Sequence, residues 1–157
     1  MSNVASVVLW LFVMNLGLVF GAGLYEHRIG IPRWLREGPA GRERWDAQAA
    51  RADDVGRRFW AFASTLPLTL LTLASLYLAS SAAGPPAAWW RAAALVSLAE
   101  RLVTFSYFIP VMVRLMKAPD SGAAAVRARR WSRLNYARHG LVLAAWLASL
   151  RALAAAS

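Results

Sequence analysis

Several ionisable side chains stand inside or beside long apolar stretches of this sequence, where a charge is costly. Glu100, Arg101, Arg138 and His139 lie in or next to runs of Ala, Leu and Val, and Glu26 directly follows the first such run. A charge inside a membrane costs about 3 kcal/mol on insertion scales, so these residues usually face a partner or a cavity. A buried carboxylate can accept a proton, and cationic or amide donors can stabilise an oxyanion. The pattern predicts a polar pocket suited to acid-base chemistry.

Helical spacing brings further polar side chains onto the same helix faces as these charges. We expect Glu26 or Glu100 to be the base and His139 to shuttle the proton. Arg138 and Asn135 are expected to hold the substrate or an oxyanion. The predicted site comprises catalytic Glu26, Glu100, Arg138 and His139, and substrate-binding Asn15, Arg101, Tyr107 and Asn135.

Two other interpretations of these polar residues stay open. Glu100 with Arg101 or Arg138 could form a buried ion pair that only fixes the register of packed helices. A metal site would draw on His27, His139, Glu26 and Glu100, and a haem would use both histidines. Since no Glu-x-x-His or His-x-x-x-His pair occurs, no metal or other cofactor is predicted.

Composition identifies the elements that must position these groups. Of the 157 residues, 59% are hydrophobic and 17% are charged, whereas soluble domains have roughly 45–50% and 25%. Four apolar stretches, at residues 4–25, 59–81, 89–116 and 131–154, are long enough to span a membrane as helices. We predict an all-α integral membrane protein with one transmembrane domain over residues 1–157, folded as an antiparallel up-down four-helix bundle.

The formal net charge of +10 is better explained by membrane topology than by nucleic-acid binding. Residues 26–58 hold eight Arg and residues 114–133 hold six Lys or Arg, whereas the turn at 82–88 holds none. Because basic loops stay on the cytoplasmic side, both are predicted to be cytoplasmic in an inner membrane, with both termini outside. Membrane lipid and a lipophilic small molecule are the expected partners, nucleic acid is not, and a homo-oligomer stays open.

The first basic loop also contains a helical pattern. Trp45, Ala49, Ala52, Val55 and Phe59 recur at helical spacing, with charged residues between them. An apolar stripe of this kind is typical of a helix that lies in the membrane interface. We therefore expect an interfacial helix in this loop, leading into the second span.

Four strings of residues, spread over nearly the whole chain, resemble a known membrane family. They are GAGLYEHRIGIPRW at 21–34, RRFWAFASTLPL at 57–68, SYFIPVMVRLM at 106–116 and RRWSRLNYARHG at 129–140. Together they resemble a bacterial four-span membrane family of unknown function, whose better-known relatives are the anthrone-oxygenase-like proteins of aromatic polyketide pathways. The resemblance depends most on Glu26, Pro32, Trp34, Tyr107, Pro110, Trp131, Asn135 and Arg138. It implies a four-helix membrane bundle and cofactor-independent oxygenation of an electron-rich aromatic compound.

The expected function is therefore that of a small membrane enzyme, an oxidoreductase or oxygenase, acting on a lipophilic and possibly aromatic substrate. The alternatives are a membrane isomerase or cyclase that uses the same carboxylate, and a non-catalytic assembly or accessory subunit. The sequence contains no Cys and no glycine-rich phosphate loop, which argues against thiol chemistry and nucleotide binding.

Overall fold

The computed structural model describes residues 2–38, 41 and 43–156, and nearly all of them are helical, as predicted. The α-helices are α1 (Asn3–Tyr25), α2 (Ile31–Trp34), α3 (Ala47–Asp53), α4 (Pro67–Ser81), α5 (Pro85–Val103), α6 (Ile109–Lys117) and α7 (Gly122–Ala154). Three π-helical segments, Glu26–Gly30, Gly56–Thr65 and Thr104–Phe108, extend or join them. The result is four long helices, Asn3–Trp34, Gly56–Ser81, Pro85–Lys117 and Gly122–Ala154, here called the first to the fourth.

Within the described part of the chain, the first three long helices are long and apolar enough to cross a membrane. The first is apolar on every side, since Leu9 and Leu16 are fully buried while Leu11 and Leu18 are half exposed. Such a helix is typical of a membrane span. The fourth long helix contains the predicted span at 131–154 but begins at Gly122, and arginines continue through its first half. It does not reach the same length of uncharged, apolar sequence.

Each π-helical segment ends two residues before a proline. The prolines are Pro32, Pro67 and Pro110. A proline lacks the N–H group, and its ring crowds the carbonyl four residues earlier, so an α-helix bends or widens at that point. The residue before each proline instead donates to the carbonyl five residues back, as seen for Ile31 to Glu26, Leu66 to Ala61 and Ile109 to Thr104. The prolines therefore account for the wide turns.

The four long helices pack around one another. Helix α1 contacts α4 and α7, and α5 contacts the same two helices from the other side. One apolar core, which includes Leu9, Phe12 and Trp90, lies among these helices. A second core, built around Trp34, Trp45, Leu115 and Trp131, lies beneath the loop between the first two long helices. The polar residues discussed below lie where the two cores meet.

The predicted interfacial helix is shorter than expected, and its buried face is different. Strands β1 (Leu35–Glu37) and β2 (Glu43–Trp45) form an antiparallel hairpin, so Trp45 belongs to a strand. The Asp46 side chain caps α3 by accepting from the Ala49 N–H at 2.8 Å, and Asp54 ends it in a left-handed conformation with φ of 42°. Ala47 and Ala50 are buried, in place of the predicted Ala49 and Ala52.

The hairpin and α3 are held against the helices by side-chain hydrogen bonds. Trp45 Nε1 donates to the Leu115 carbonyl at 2.8 Å, and Trp34 Nε1 donates to Asp53 Oδ2 at 2.7 Å. Ion pairs of Arg44 with Asp120 and of Glu43 with Arg129 join β2 to the residues around the start of the fourth long helix. These contacts hold β2 and α3 over one end of the helices.

Candidate functional site

A cavity of about 630 Å³ lies between α3 and the long helices. Its buried end, here called the floor, is polar, its walls are apolar, and its exposed end, here called the rim, is basic. The floor is formed by Glu26, Ser64, Thr104, Asn135 and Arg138. The walls include Trp34, Val55, Trp60, Phe108, Ile109, Met112, Met116 and Trp131, and the rim carries three cations, Arg51, Arg57 and Lys117, and one acid, Asp54. Its size and its mixture of apolar walls with a few polar groups are typical of a small-molecule site.

The π-helical segments supply much of this cavity. Glu26 begins the first segment, Trp60 and Ser64 lie in the second, and Thr104 and Phe108 begin and end the third. A π turn displaces side chains from regular α-helical positions, and such turns are frequent at functional sites. The prolines therefore shape the helices where the cavity forms.

Glu26 is the carboxylate that faces the cavity. It is 8% exposed, and its Oε1 accepts a hydrogen bond from Trp60 Nε1 at 2.9 Å. No residue in the described part of the chain forms an ion pair with it, and none donates a hydrogen bond to Oε2. A buried carboxylate with a free oxygen is suited to accept a proton from a bound molecule.

Arg138 and Asn135 place hydrogen-bond donors beside this carboxylate. Arg138 Nε donates to Asn135 Oδ1 at 2.6 Å, which fixes the orientation of the amide. Asn135 is 1% exposed, and its Nδ2 is buried without a partner among the described residues. The Arg138 guanidinium also lies over the Phe108 ring, with its Cζ 5.3 Å from the ring centroid. These donors can stabilise an oxyanion on a ligand whose proton passes to Glu26.

Glu100 lies outside the cavity and has its oxygens occupied. Its Oε2 accepts from Arg101 Nε at 2.6 Å, and its Oε1 accepts from Thr104 Oγ1 at 2.8 Å and Arg138 Nη1 at 2.9 Å. Arg101 Nη1 in turn donates to Ser64 Oγ at 2.8 Å. This network joins the second, third and fourth long helices. The structure thus places the two candidate bases in different surroundings.

The two histidines contact each other at the side of the first long helix. Their ring centroids are 4.7 Å apart in an edge-to-face arrangement. His27 Nδ1 donates to the Gly23 carbonyl at 3.0 Å, and His139 Nδ1 donates to the Asn135 carbonyl at 2.8 Å. His139 Nε2 is buried without a partner among the described residues and faces Gly23 rather than the cavity. No cluster of three or more His, Asp or Glu side chains in residues 2–38, 41 and 43–156 could hold a metal ion.

The remaining predicted site residues are dispersed. Asn15 Nδ2 donates to the Ala63 carbonyl at 2.9 Å, a group that Pro67 leaves without its usual α-helical donor. Tyr107 lines a second, apolar cavity of about 370 Å³ that shares Phe108 and Arg138 with the first. Of the predicted residues, the main cavity brings together Glu26, Asn135 and Arg138.

Sequence reasoning missed several groups that form the cavity. Trp60, which donates a hydrogen bond to Glu26, is not among the predicted site residues. Ser64 and the basic rim were not predicted to belong to a site. The prolines gave a usable signal, because each marks a wide turn that contributes to the cavity.

Comparison of the chain with models of protein families, with curated proteins and with solved structures found no match in any of the three.

Proposed function

We propose that this chain is a small membrane enzyme that removes a proton from a lipophilic substrate, with Glu26 as the base. One observation carries the proposal: a buried carboxylate without an ion pair among the described residues faces a drug-sized, mostly apolar cavity. Asn135 Nδ2, which has no partner among the described residues, and the Arg138 guanidinium line the same floor. A base and oxyanion donors that meet in a mostly apolar cavity are the parts needed for proton abstraction next to a carbonyl or phenol.

The proposal includes a four-span, up-down bundle in the bacterial inner membrane. Exposed apolar side chains along the long helices, such as Leu70, Leu73, Leu95 and Leu102, support contact with lipid. The basic loops at 26–58 and 114–133 support a cytoplasmic position for the ends that carry the cavity rim. In this arrangement the fourth long helix crosses the membrane with its Arg138 paired to Glu100.

The sequence resembles a family of unknown function related to the anthrone-oxygenase-like proteins, and this relation suggests the reaction that comes after proton removal. Once Glu26 holds the proton, the substrate carbanion can pass electrons directly to dioxygen without a metal or flavin. Arg138 and Asn135 would stabilise the enolate or phenolate oxygen formed in the first step. For anthrone, one dioxygen gives anthraquinone and one water, so the atoms and electrons balance. The cofactor-independent oxygenase is therefore the version of the proposal that we favour.

Anthrone is a suitable probe for testing both steps separately. The protein would be placed in lipid nanodiscs, and exchange of the anthrone methylene protons with deuterated solvent would be followed by mass spectrometry without oxygen. Admission of oxygen would then allow oxygen uptake and anthraquinone formation to be measured. Glu26→Gln should reduce both rates to the level of empty nanodiscs, because the base is lost. Glu37→Gln, an exposed carboxylate on β1, should leave both rates unchanged.

The outcomes separate the three classes of function. Exchange followed by oxygen uptake supports the oxygenase, whereas exchange without oxygen uptake supports an isomerase or cyclase that uses the same base. If the wild-type protein accelerates neither step, or if Glu26→Gln retains both, proton abstraction by Glu26 is wrong. An accessory role, with polar residues that only hold helices together, would then explain the fully paired Glu100 better.

A further inference from the structure

The cavity has a basic rim that the proposed chemistry does not use. Arg57 is paired with Asp54, with contacts of 3.2 Å. Arg51 donates to the Met116 carbonyl, and no acidic side chain in the described part of the chain pairs with it. The neighbouring Lys117 has no ion-pair partner there either. Two cations without an ion-pair partner among the described residues therefore line the exposed end of the cavity.

The cavity is elongated, so its floor and rim contact opposite ends of a ligand. Thr104 at the floor and Lys117 at the rim lie on one continuous helix. Their separation of thirteen residues corresponds to roughly 20 Å along the helix axis. The wall between them is apolar and contains Met112 and Met116, whose flexible side chains adapt to ligands of different shape.

We infer that the cavity binds an amphipathic anion, with its apolar body along the walls and its carboxylate, sulfonate or phosphate group at Arg51 and Lys117. This inference rests on the proposed function only in taking the same cavity as the binding site. The reactive end of the ligand then lies at the floor beside Glu26. A neutral ligand would fill the walls equally well but would leave both rim cations unpaired. Two exposed ion pairs correspond to roughly tenfold tighter binding.

A matched pair of probes tests this preference. 1-Anilinonaphthalene-8-sulfonate and N-phenyl-1-naphthylamine share one aromatic body and differ in the sulfonate. Binding to the full chain in phosphatidylcholine nanodiscs would be measured by energy transfer from tryptophan, since Trp34, Trp60 and Trp131 line the cavity. Empty nanodiscs correct for partitioning into lipid. We expect the sulfonate probe to bind roughly tenfold more tightly than the neutral probe.

Two double variants with the same change in net charge identify the cations responsible. Arg51→Gln/Lys117→Gln should abolish the preference for the sulfonate, whereas Arg33→Gln/Arg130→Gln, which removes exposed cations outside the cavity, should retain it. Equal affinity of the wild-type protein for the two probes, or an equal loss in both variants, would overturn the inference. Glu26→Gln should keep the preference, because binding needs no proton transfer, so a failure of the catalytic proposal would be seen separately.

The source of the anion can be read from the same assay. If an anionic bilayer lipid occupies the cavity, that lipid competes with the sulfonate probe. Replacing phosphatidylcholine by phosphatidylglycerol in the nanodiscs should then lower the affinity for this probe more in the wild-type protein than in Arg51→Gln/Lys117→Gln. If the natural ligand is a diffusible amphipathic anion, both proteins should respond equally to the lipid. Once the preference for the sulfonate is measured, these two results assign the occupant of the site.

Discussion

Exchanging each of the two buried carboxylates for its amide should separate stability from chemistry. Glu100→Gln removes the negative charge that faces Arg101 and Arg138, so both buried guanidinium groups lose their ion-pair partner. Glu26→Gln keeps an acceptor for Trp60 Nε1 and breaks no ion pair. We therefore expect Glu100→Gln to destabilise the fold strongly, and Glu26→Gln to lose activity while remaining folded.

The contacts set the size of this contrast. Glu100 accepts hydrogen bonds from Arg101, Thr104 and Arg138 at 2.6 to 2.9 Å. Breaking a buried ion pair on one side typically costs about 3–5 kcal/mol. Glu26 accepts one hydrogen bond, which the amide of Gln can retain, so the free energy of unfolding should fall by less than about 1 kcal/mol. The free energies of unfolding of the two variants should differ by at least about 2 kcal/mol.

Unfolding in mixed micelles, with sodium dodecyl sulfate as denaturant and tryptophan fluorescence as signal, measures this difference. Circular dichroism before the titration establishes that each variant is helical. Equal destabilisation by the two substitutions would refute the conclusion that Glu100 stabilises the fold through its ion pairs. If Glu100→Gln were as stable as the wild-type protein but inactive on the anthrone probe, Glu100 would be the base and our interpretation of Glu26 would be wrong.

Two further substitutions test the packing around the site. A Cβ atom at position 23 would lie 1.7 Å from His139 Nε2, so Gly23→Ala should cost roughly 1–3 kcal/mol of stability by the same unfolding assay. A Cβ atom at position 21 would have no neighbouring atom within 4 Å, so Gly21→Ala should leave the stability unchanged or raise it by up to about 1 kcal/mol. Similar losses of stability in both variants would contradict the close contact between Gly23 and His139. Trp45→Phe removes the bond to the Leu115 carbonyl and should cost about 1 kcal/mol or more, with faster proteolysis of the loop at 26–58; unchanged protection would contradict its anchoring role.

Much of the fold could be predicted because apolar composition limits the choice of structure. Runs long enough to cross a membrane must be helical, since helices satisfy all their backbone hydrogen bonds internally. The hairpin could not be predicted in the same way. It depends on Trp45 reaching Leu115, a partner 70 residues away, and local spacing carries no information about such a contact. The helical stripe at Trp45 and Ala49 was therefore misleading.

The site was predicted in part for a related reason. Spacing along one helix placed Asn135 and Arg138 on a common face, and the structure confirms that they contact each other. Spacing could not decide which carboxylate is paired, because Glu26 and Glu100 both stand near arginine in the sequence. The choice depends on Arg138 reaching Glu100 from the fourth long helix, and on Trp60 reaching Glu26 from the second. These two contacts depend on how the helices are rotated against one another.

The three π-helical segments also bear on how a chain of this kind can evolve. A π turn holds one residue more than the α turn it replaces, and the helix on either side keeps its packing. A single inserted or deleted residue at Glu26–Gly30, Gly56–Thr65 or Thr104–Phe108 could therefore create or erase part of the cavity without disturbing the flanking helices. Two chains that share this bundle would then differ in activity through the length of a turn, even where the residues on either side are identical.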